Sequence, residues 1–227
     1  DAEGNWNGGS LVLKRTATGS TSNGAWGSDV FAFSSIYFSA TATDATSGSL
    51  KFHTQSAGQS FATYTNTNGV LTITFNANAT SEMVGWIFSG ISYQNATPAG
   101  DVSFGFTLTD GAGGSTTATT TVTSDTIYVT NATDTSVIDV TDGISFSEAI
   151  AIAAADTTGT QTLVLTNALA NSTITLAGNI NLGESLTIDA DDAGGLTITG
   201  STITTAGSST LTFRNGASDT LTVASTL

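Results

Sequence analysis

The chain has 227 residues, enough for one large domain or two ordinary ones, and only 10% of them are charged. Four cations, Lys14, Arg15, Lys51 and Arg214, stand against 18 carboxylates, for a net charge of −14. That balance provides no basic stripe to displace counterions from nucleic acid and disfavours an anionic membrane surface. Cysteine is absent and His53 is the single histidine, which excludes disulfide frameworks, thiol nucleophiles and two-histidine metal sites. No apolar run reaches the roughly 18 residues of a membrane-spanning helix. None resembles a signal peptide, and a targeting segment is expected to have been removed or to precede Asp1. Threonine and serine make up 72 residues, and the 39% of hydrophobic residues fall in short alternating runs. The expected class is an all-β, acidic, extracellular or cell-surface protein.

In chain order, strands are predicted at Ser10–Lys14, Val30–Phe33, Ser49–His53, Val70–Phe75, Gly85–Tyr93, Val102–Thr109 and Thr116–Val122. Alternation is clearest in Val70-Leu-Thr-Ile-Thr-Phe75 and Val102-Ser-Phe-Gly-Phe-Thr-Leu108, where every second residue meets one face. Turn signals at Thr67-Asn-Gly69 and Thr109-Asp-Gly111 separate the runs. A short helix is expected around Ala79–Val84. Seven or so strands over this length predict a two-sheet sandwich, with Trp6, Trp26 and Trp86 filling or edging its core.

The pieces Trp6-Asn-Gly-Gly-Ser-Leu11, Asp29-Val-Phe31, Leu71-Thr-Ile-Thr-Phe75, Ile91-Ser-Tyr-Gln-Asn95 and Phe106-Thr-Leu-Thr-Asp-Gly111 occur in this order. In that order they resemble the cadherin-like or immunoglobulin-like repeats of giant bacterial surface adhesins. The resemblance implies an immunoglobulin-like β-sandwich over residues 1–125, acting as a spacer or adhesion module.

Beyond Asp125, Thr126–Thr130 and Ser136–Val140 read as strands. Ser145-Phe-Ser-Glu148 is a capping box ahead of the alanine-rich run Ala149–Ala155, so a helix is expected near 146–156. Leu186-Thr-Ile188 then recurs as Leu211-Thr-Phe213, and Leu196-Thr-Ile198 as Leu221-Thr-Val223, each 25 residues on. Leu163-Val-Leu165 and Ile174-Thr-Leu176 precede them by 23 and 22. Such a period predicts stacked coils of a parallel β-helix, the alternative being a sandwich of similar hairpins. Asp142-Gly-Ile-Ser-Phe-Ser-Glu-Ala-Ile150 resembles the opening of bacterial right-handed β-helix domains, where a short helix caps the first coil. Ser147 stands where that motif carries arginine. Residues 126–227 are therefore expected to form a right-handed parallel β-helix, capped at its start and incomplete at its C-terminus. The strand-like run Leu221–Leu227 implies either continuation in a longer chain or self-association by head-to-tail stacking.

Chemistry is sparse. A glycosidase needs two carboxylates facing a groove, and a lyase needs a base with a cation. In the predicted solenoid, beyond the capping helix, the acids are Asp156, Glu184, Asp189, Asp191, Asp192 and Asp219, with Arg214 the only base. Asp189, Asp191 and Asp192 precede Ala193-Gly-Gly195 in a turn. They are read as a solvated acidic turn, with calcium binding the candidate function and catalysis a lesser one. His53 is expected to be a half-exposed strand residue. No nucleophile elbow or phosphate-cradling loop occurs. The Thr-x-Thr pairs at 173/175, 197/199, 202/204, 210/212 and 220/222 predict outward threonine ladders, which resemble ice-binding faces but suit any uncharged β surface. Asn-x-Thr sequons stand at Asn78, Asn95, Asn131 and Asn171. Trp26, between Ala25 and Gly27, is the candidate contact for surface glycans. The expected function is a non-catalytic structural or adhesive surface protein, with no resident cofactor beyond the candidate calcium, no nucleic acid and no membrane insertion. A glycan-binding module and a polysaccharide-active enzyme are the alternatives.

Overall fold

A computed structural model describes residues 4, 6–16, 29–44, 46–53, 58–139, 142–156, 159–216 and 220–224. These are mostly β-strand, with two short α-helices and one 3-10 turn. They fall into two compact units, 4–16, 29–96 and 103–121 in the first, and 97–102 with 122–224 in the second. One boundary at 125 does not describe this division, because residues 97–102 lie in the second unit.

The first unit runs β1 (Ser10–Arg15), β2 (Asp29–Phe33), β3 (Phe38–Ala42), β4 (Ser47–Phe52), β5 (Ser60–Thr67), β6 (Val70–Phe75), α1 (Ser81–Gly90), β7 (Ile91–Asn95), β8 (Val102–Thr109) and β9 (Ser115–Val122). A seven-stranded sheet has the order β3-β4-β5-β6-β1-β8-β9, and β2 with β7 makes a separate antiparallel pair. Strand alternation does its expected work: Leu11, Leu13, Leu50, Phe61, Leu71, Ile73, Phe75 and Phe104 are buried. Phe31 of the small sheet meets Phe104 of the large one edge-on, with ring centroids 5.4 Å apart. Asn68 and Gly69 both have positive φ, 53° and 72°, which gives the β5–β6 hairpin the turn that suits twisted strands.

Residues 85–90, predicted as strand, are helical. Thr80 accepts from the Met83 N–H as N-cap, and Val84 and Ile87 bury one face at helical spacing. The alternating Trp86 and Phe88 imitated a strand; on the helix Trp86 is half-buried and Phe88 exposed. Gly90 ends the helix where a Cβ would lie 2.8 Å from the Phe38 ring. Strands β3 and β5 were not foreseen, because their outward positions are nearly all Ser, Thr, Ala and Asn.

The second unit runs β10 (Thr126–Val129), α2 (Phe146–Ala155), β11 (Gln161–Leu165), a 3-10 turn (Asn167–Leu169), β12 (Thr173–Thr175), β13 (Ile180–Leu182), β14 (Leu186–Asp189), β15 (Leu196–Thr199), β16 (Ile203–Thr205), β17 (Leu211–Arg214) and β18 (Leu221–Val223). Its three sheets, β10-β11-β14-β17, β12-β15-β18 and β13-β16, are parallel throughout. The 25-residue offset is the true register: Leu186 pairs with Leu211, and Leu196 with Leu221. Upstream the offsets are 25 and 24, not 23 and 22, since Gln161 pairs with Leu186 and Ile174 with Ile198. The two-residue error left every side chain on its proper face, because strands repeat every two residues.

The aliphatic columns Ile127/Leu163/Ile188 and Ile174/Ile198 point inward and are buried. Outward, Thr126, Thr162, Thr187 and Thr212 form one ladder, and Thr173, Thr197 and Thr222 another. Residues 136–139 are not strand; the chain there folds against α2 instead. Glu148 is fully buried and accepts from the Ser145 N–H at 2.8 Å and the Asp139 N–H at 2.6 Å, completing the predicted capping box and adding a third anchor.

Candidate functional site

The most distinctive surface belongs to the parallel stack, whose two ends differ. At the β10 end the edge is closed. The Tyr128 N–H donates to the Pro98 carbonyl at 2.9 Å, the Gly100 N–H donates to the Thr126 carbonyl at 3.0 Å, and Ala99 bridges Ile127 antiparallel. Pro98 has no N–H to offer a further strand. Helix α2 buries Phe146, Ala149 and Ala153 in the same unit. Asp134 ties it down, accepting from the Ser147 N–H at 2.7 Å, the Ser147 hydroxyl at 2.6 Å and the Ala177 N–H at 2.8 Å.

At the other end, among the described residues, β16, β17 and β18 each pair with a strand on one side only. The inward columns continue but lose cover. Leu186 and Ile188 are 1% exposed, while their register partners Leu211 and Phe213 are half-buried. Leu196 and Ile198 are fully buried, and their partners Leu221 and Val223 are half-buried. Among the described residues, half-buried apolar side chains and strands paired on one side only thus coincide on one face, the combination that templates further strand pairing. A second copy stacking head-to-tail would meet residues 97–102 and α2 rather than a free edge.

The acidic turn lies on the outward side of these coils. Asp189 stands opposite Arg214 in register. The guanidinium lies 3.0 Å from Asp189 and 3.8 Å from Asp191. Asp189 also accepts from the Asp191 N–H at 3.2 Å. Two of the three carboxylates expected to bind calcium, Asp189 and Asp191, therefore meet a cation of the chain's own, while the third, Asp192, is exposed and forms no ion pair among those described. Among the described residues, no three His, Asp or Glu side chains converge as a metal site requires. Sequence spacing could not show the pairing, because Arg214 arrives only through the register. Elsewhere in the unit, burial and then the charge of Asp156 raise the Glu184 carboxyl above its usual range.

Trp26, the expected glycan contact, lies outside the described residues, as does Asp219. The structure assembles another aromatic group in the first unit. Trp86 lies between Tyr37 and Phe52, with ring centroids 4.9 and 5.3 Å apart and planes 12° and 3° from parallel. Tyr37 is 45% exposed and its neighbour Ile36 80%. The three rings come from a loop, a strand and a helix, so no local pattern announced them. His53 sits in an exposed turn just past β4, with Nδ1 3.2 Å from the Ile36 carbonyl oxygen, rather than half-exposed in a strand.

The first unit also buries an ion pair that sequence reading missed. Asp29 is 3% exposed. It accepts from Arg15 Nη2 at 2.8 Å, the Tyr93 hydroxyl at 2.8 Å and Asn95 Nδ2 at 2.9 Å, and Arg15 Nε donates to its other oxygen. Burial, then the hydrogen bond to Asp29, raises the Tyr93 phenol above its ordinary value. Every group faces a partner within the cluster, so this is a structural clasp rather than a reactive centre. An open hollow of about 200 Å³ in the same unit is lined by Trp6, Leu108, Asp110, Gly114, Ser115 and Thr116. Its one carboxylate, Asp110, is committed to the Ala112 and Gly114 N–H groups of the hairpin turn. No described helix is long and apolar enough to cross a membrane. Comparison with protein-family models, with curated proteins and with solved structures returned no match for this chain.

Proposed function

We propose that the chain is a non-catalytic structural and adhesive protein of the cell surface or extracellular space, a module of the kind found in large bacterial surface adhesins. In this reading the first unit is an immunoglobulin-like or cadherin-like sandwich. The second is the capped start of a right-handed parallel β-helix. Its work is mechanical, to seat a further β coil and extend a rigid, hydroxyl-rich surface. The observation that carries the reading is the half-buried Leu211, Phe213, Leu221 and Val223 on strands paired on one side only. The closed β10 edge favours growth in one direction. Purified protein, imaged by electron microscopy and sized across a concentration range, is expected to associate through this face. The paired variant Phe213→Glu with Leu221→Glu should abolish association through this face and keep the strand content. A wild type that remains monomeric throughout, with stability indifferent to both substitutions, overturns the proposal.

A glycan-binding role is the second reading, and the Tyr37–Trp86–Phe52 stack favours it, since exposed ring faces and edges suit sugar C–H groups. Glycan-array binding that disappears in Tyr37→Ala would support it. Polysaccharide turnover abolished by Asp191→Ala would instead place the chain among enzymes.

A further inference from the structure

We infer that strand β9 is a self-association edge, through which two copies of this chain join their seven-stranded sheets antiparallel about a two-fold axis at Ala118. The site lies in the first unit and does not depend on the growth face proposed above.

Four observations carry it. Among the described residues, β9 is the terminal strand of the large sheet, with β8 as its neighbour on one side. It is eight residues long, and Ser115 through Thr121 are all exposed, so both its faces and its outer edge are open to solvent. It carries none of the usual edge protection, since Ser-Thr-Thr-Ala-Thr-Thr-Thr-Val contains neither charge nor proline. By contrast, β10 is covered by residues 97–102, β3 is only five residues long, and β17 carries Arg214.

The fourth observation selects the partner. The strand reads nearly the same in both directions about Ala118. An antiparallel two-fold there sets Thr117 opposite Thr119, Thr116 opposite Thr120 and Ser115 opposite Thr121. The small Ala118 faces its own copy on the axis. Each opposed pair is hydroxyl against hydroxyl, a pairing that favours cross-strand contact, and no like charges face one another. A contact in which the same patch serves both partners closes as a dimer and does not polymerise. The net charge of −14 opposes the approach of two copies, so added salt should tighten the dimer by screening that repulsion.

The absence of cysteine gives a direct test. Directly opposed residues of an antiparallel pair have Cα atoms about 4.5–5.5 Å apart, inside the span of a disulfide. In Ala118→Cys, oxidised glutathione should link the two axial thiols, the bond forming as two glutathiones are released. Thr116→Cys should not link, because its partner across the axis is Thr120. The expected result is a predominantly cross-linked dimer for Ala118→Cys and background for Thr116→Cys. Sedimentation of the wild type should show association that strengthens with salt. Ala118→Lys, which sets two ammonium groups together on the axis, should weaken it by at least about tenfold. Phe213→Glu with Leu221→Glu should leave the cross-link intact, which separates this contact from the growth face. Equal cross-linking of the two cysteine variants, or a wild type that stays monomeric at every salt concentration, overturns the inference.

Discussion

The two units reach a packed interior by different routes. The antiparallel unit fills its core with aromatic rings set edge to face, Trp6 on Phe75, Phe31 on Phe104 and Phe38 on Phe61. The parallel unit uses stacked Leu, Ile and Val, with Phe146 of the cap as its largest fully buried side chain. Sheets joined by loops of different lengths leave irregular gaps, which rings of fixed shape can span. A coil that stacks on a copy of itself must present the same side chain at the same place, so its interior becomes columns of like residues. Buried polarity follows the same division. In the first unit the buried charge is an ion pair between β1 and β2; in the second it is Glu148, in the capping box of α2.

The largest expected effect tests whether the units unfold separately. Asp29→Ala leaves Arg15 enclosed without its carboxylate and should cost about 3–5 kcal/mol. Every tryptophan, at positions 6, 26 and 86, precedes the second unit's main segment. The fluorescence-detected urea transition should therefore shift to lower denaturant, while the part of the circular dichroism transition due to the parallel stack stays in place. A joint shift of both would show one cooperative unit.

Next comes the gradient along the stack. Leu196→Ala removes a fully buried rung and should cost about 2–5 kcal/mol by urea denaturation. Leu221→Ala, its half-buried partner one coil later, should cost about 1 kcal/mol or less. Equal costs would mean that the last coil is as well covered as the one before it.

Glu148→Gln tests the polar difference. It keeps the shape but weakens two charge-assisted bonds, to the Ser145 and Asp139 N–H groups, and should cost about 1–3 kcal/mol, seen in the second unit's transition alone.

The smallest effect is a pH dependence. Glu184 has a raised pKa in the fold, so its ionised form is the less favourable one there and weakens the second unit at neutral pH. The folded chain takes up this proton before the unfolded chain as pH falls, and the penalty is then relieved. Glu184→Gln should therefore stabilise slightly at pH 7, and the difference should vanish below the ordinary glutamate pKa. Melting curves of both proteins from pH 7 to 4 would read it; a gap that widens toward acid would contradict the assignment.

The alternating runs of β1, β6 and β8 were legible in the sequence because each repeats every two residues, and the α2 cap was legible because its box occupies four consecutive positions. The 25-residue offset of Leu186 and Leu211 revealed the stack for the same local reason. Helix α1 was half read, since Trp86 and Phe88, two residues apart, satisfy the strand period, and only the Thr80 cap with Val84 and Ile87 buried at helical spacing decides for the helix. Strands β3 and β5 escaped because Ser, Thr and Asn on their outward faces read as loop.

What the amino-acid order settled by itself was everything within reach of a turn or a repeat: mostly β structure, the capping box, the hairpin at Asn68-Gly69, and which residues of each coil face inward. Tertiary structure decided what requires distant segments to meet. It joined Arg15 to Asp29, gathered Tyr37, Trp86 and Phe52 from three elements, and brought Arg214 across a coil to the carboxylates of Asp189 and Asp191. It also sealed β10 with residues 97–102. The physical reason is that periodicity encodes the direction of a side chain, whereas the partner it finds depends on register and on loop closure, which no local pattern carries.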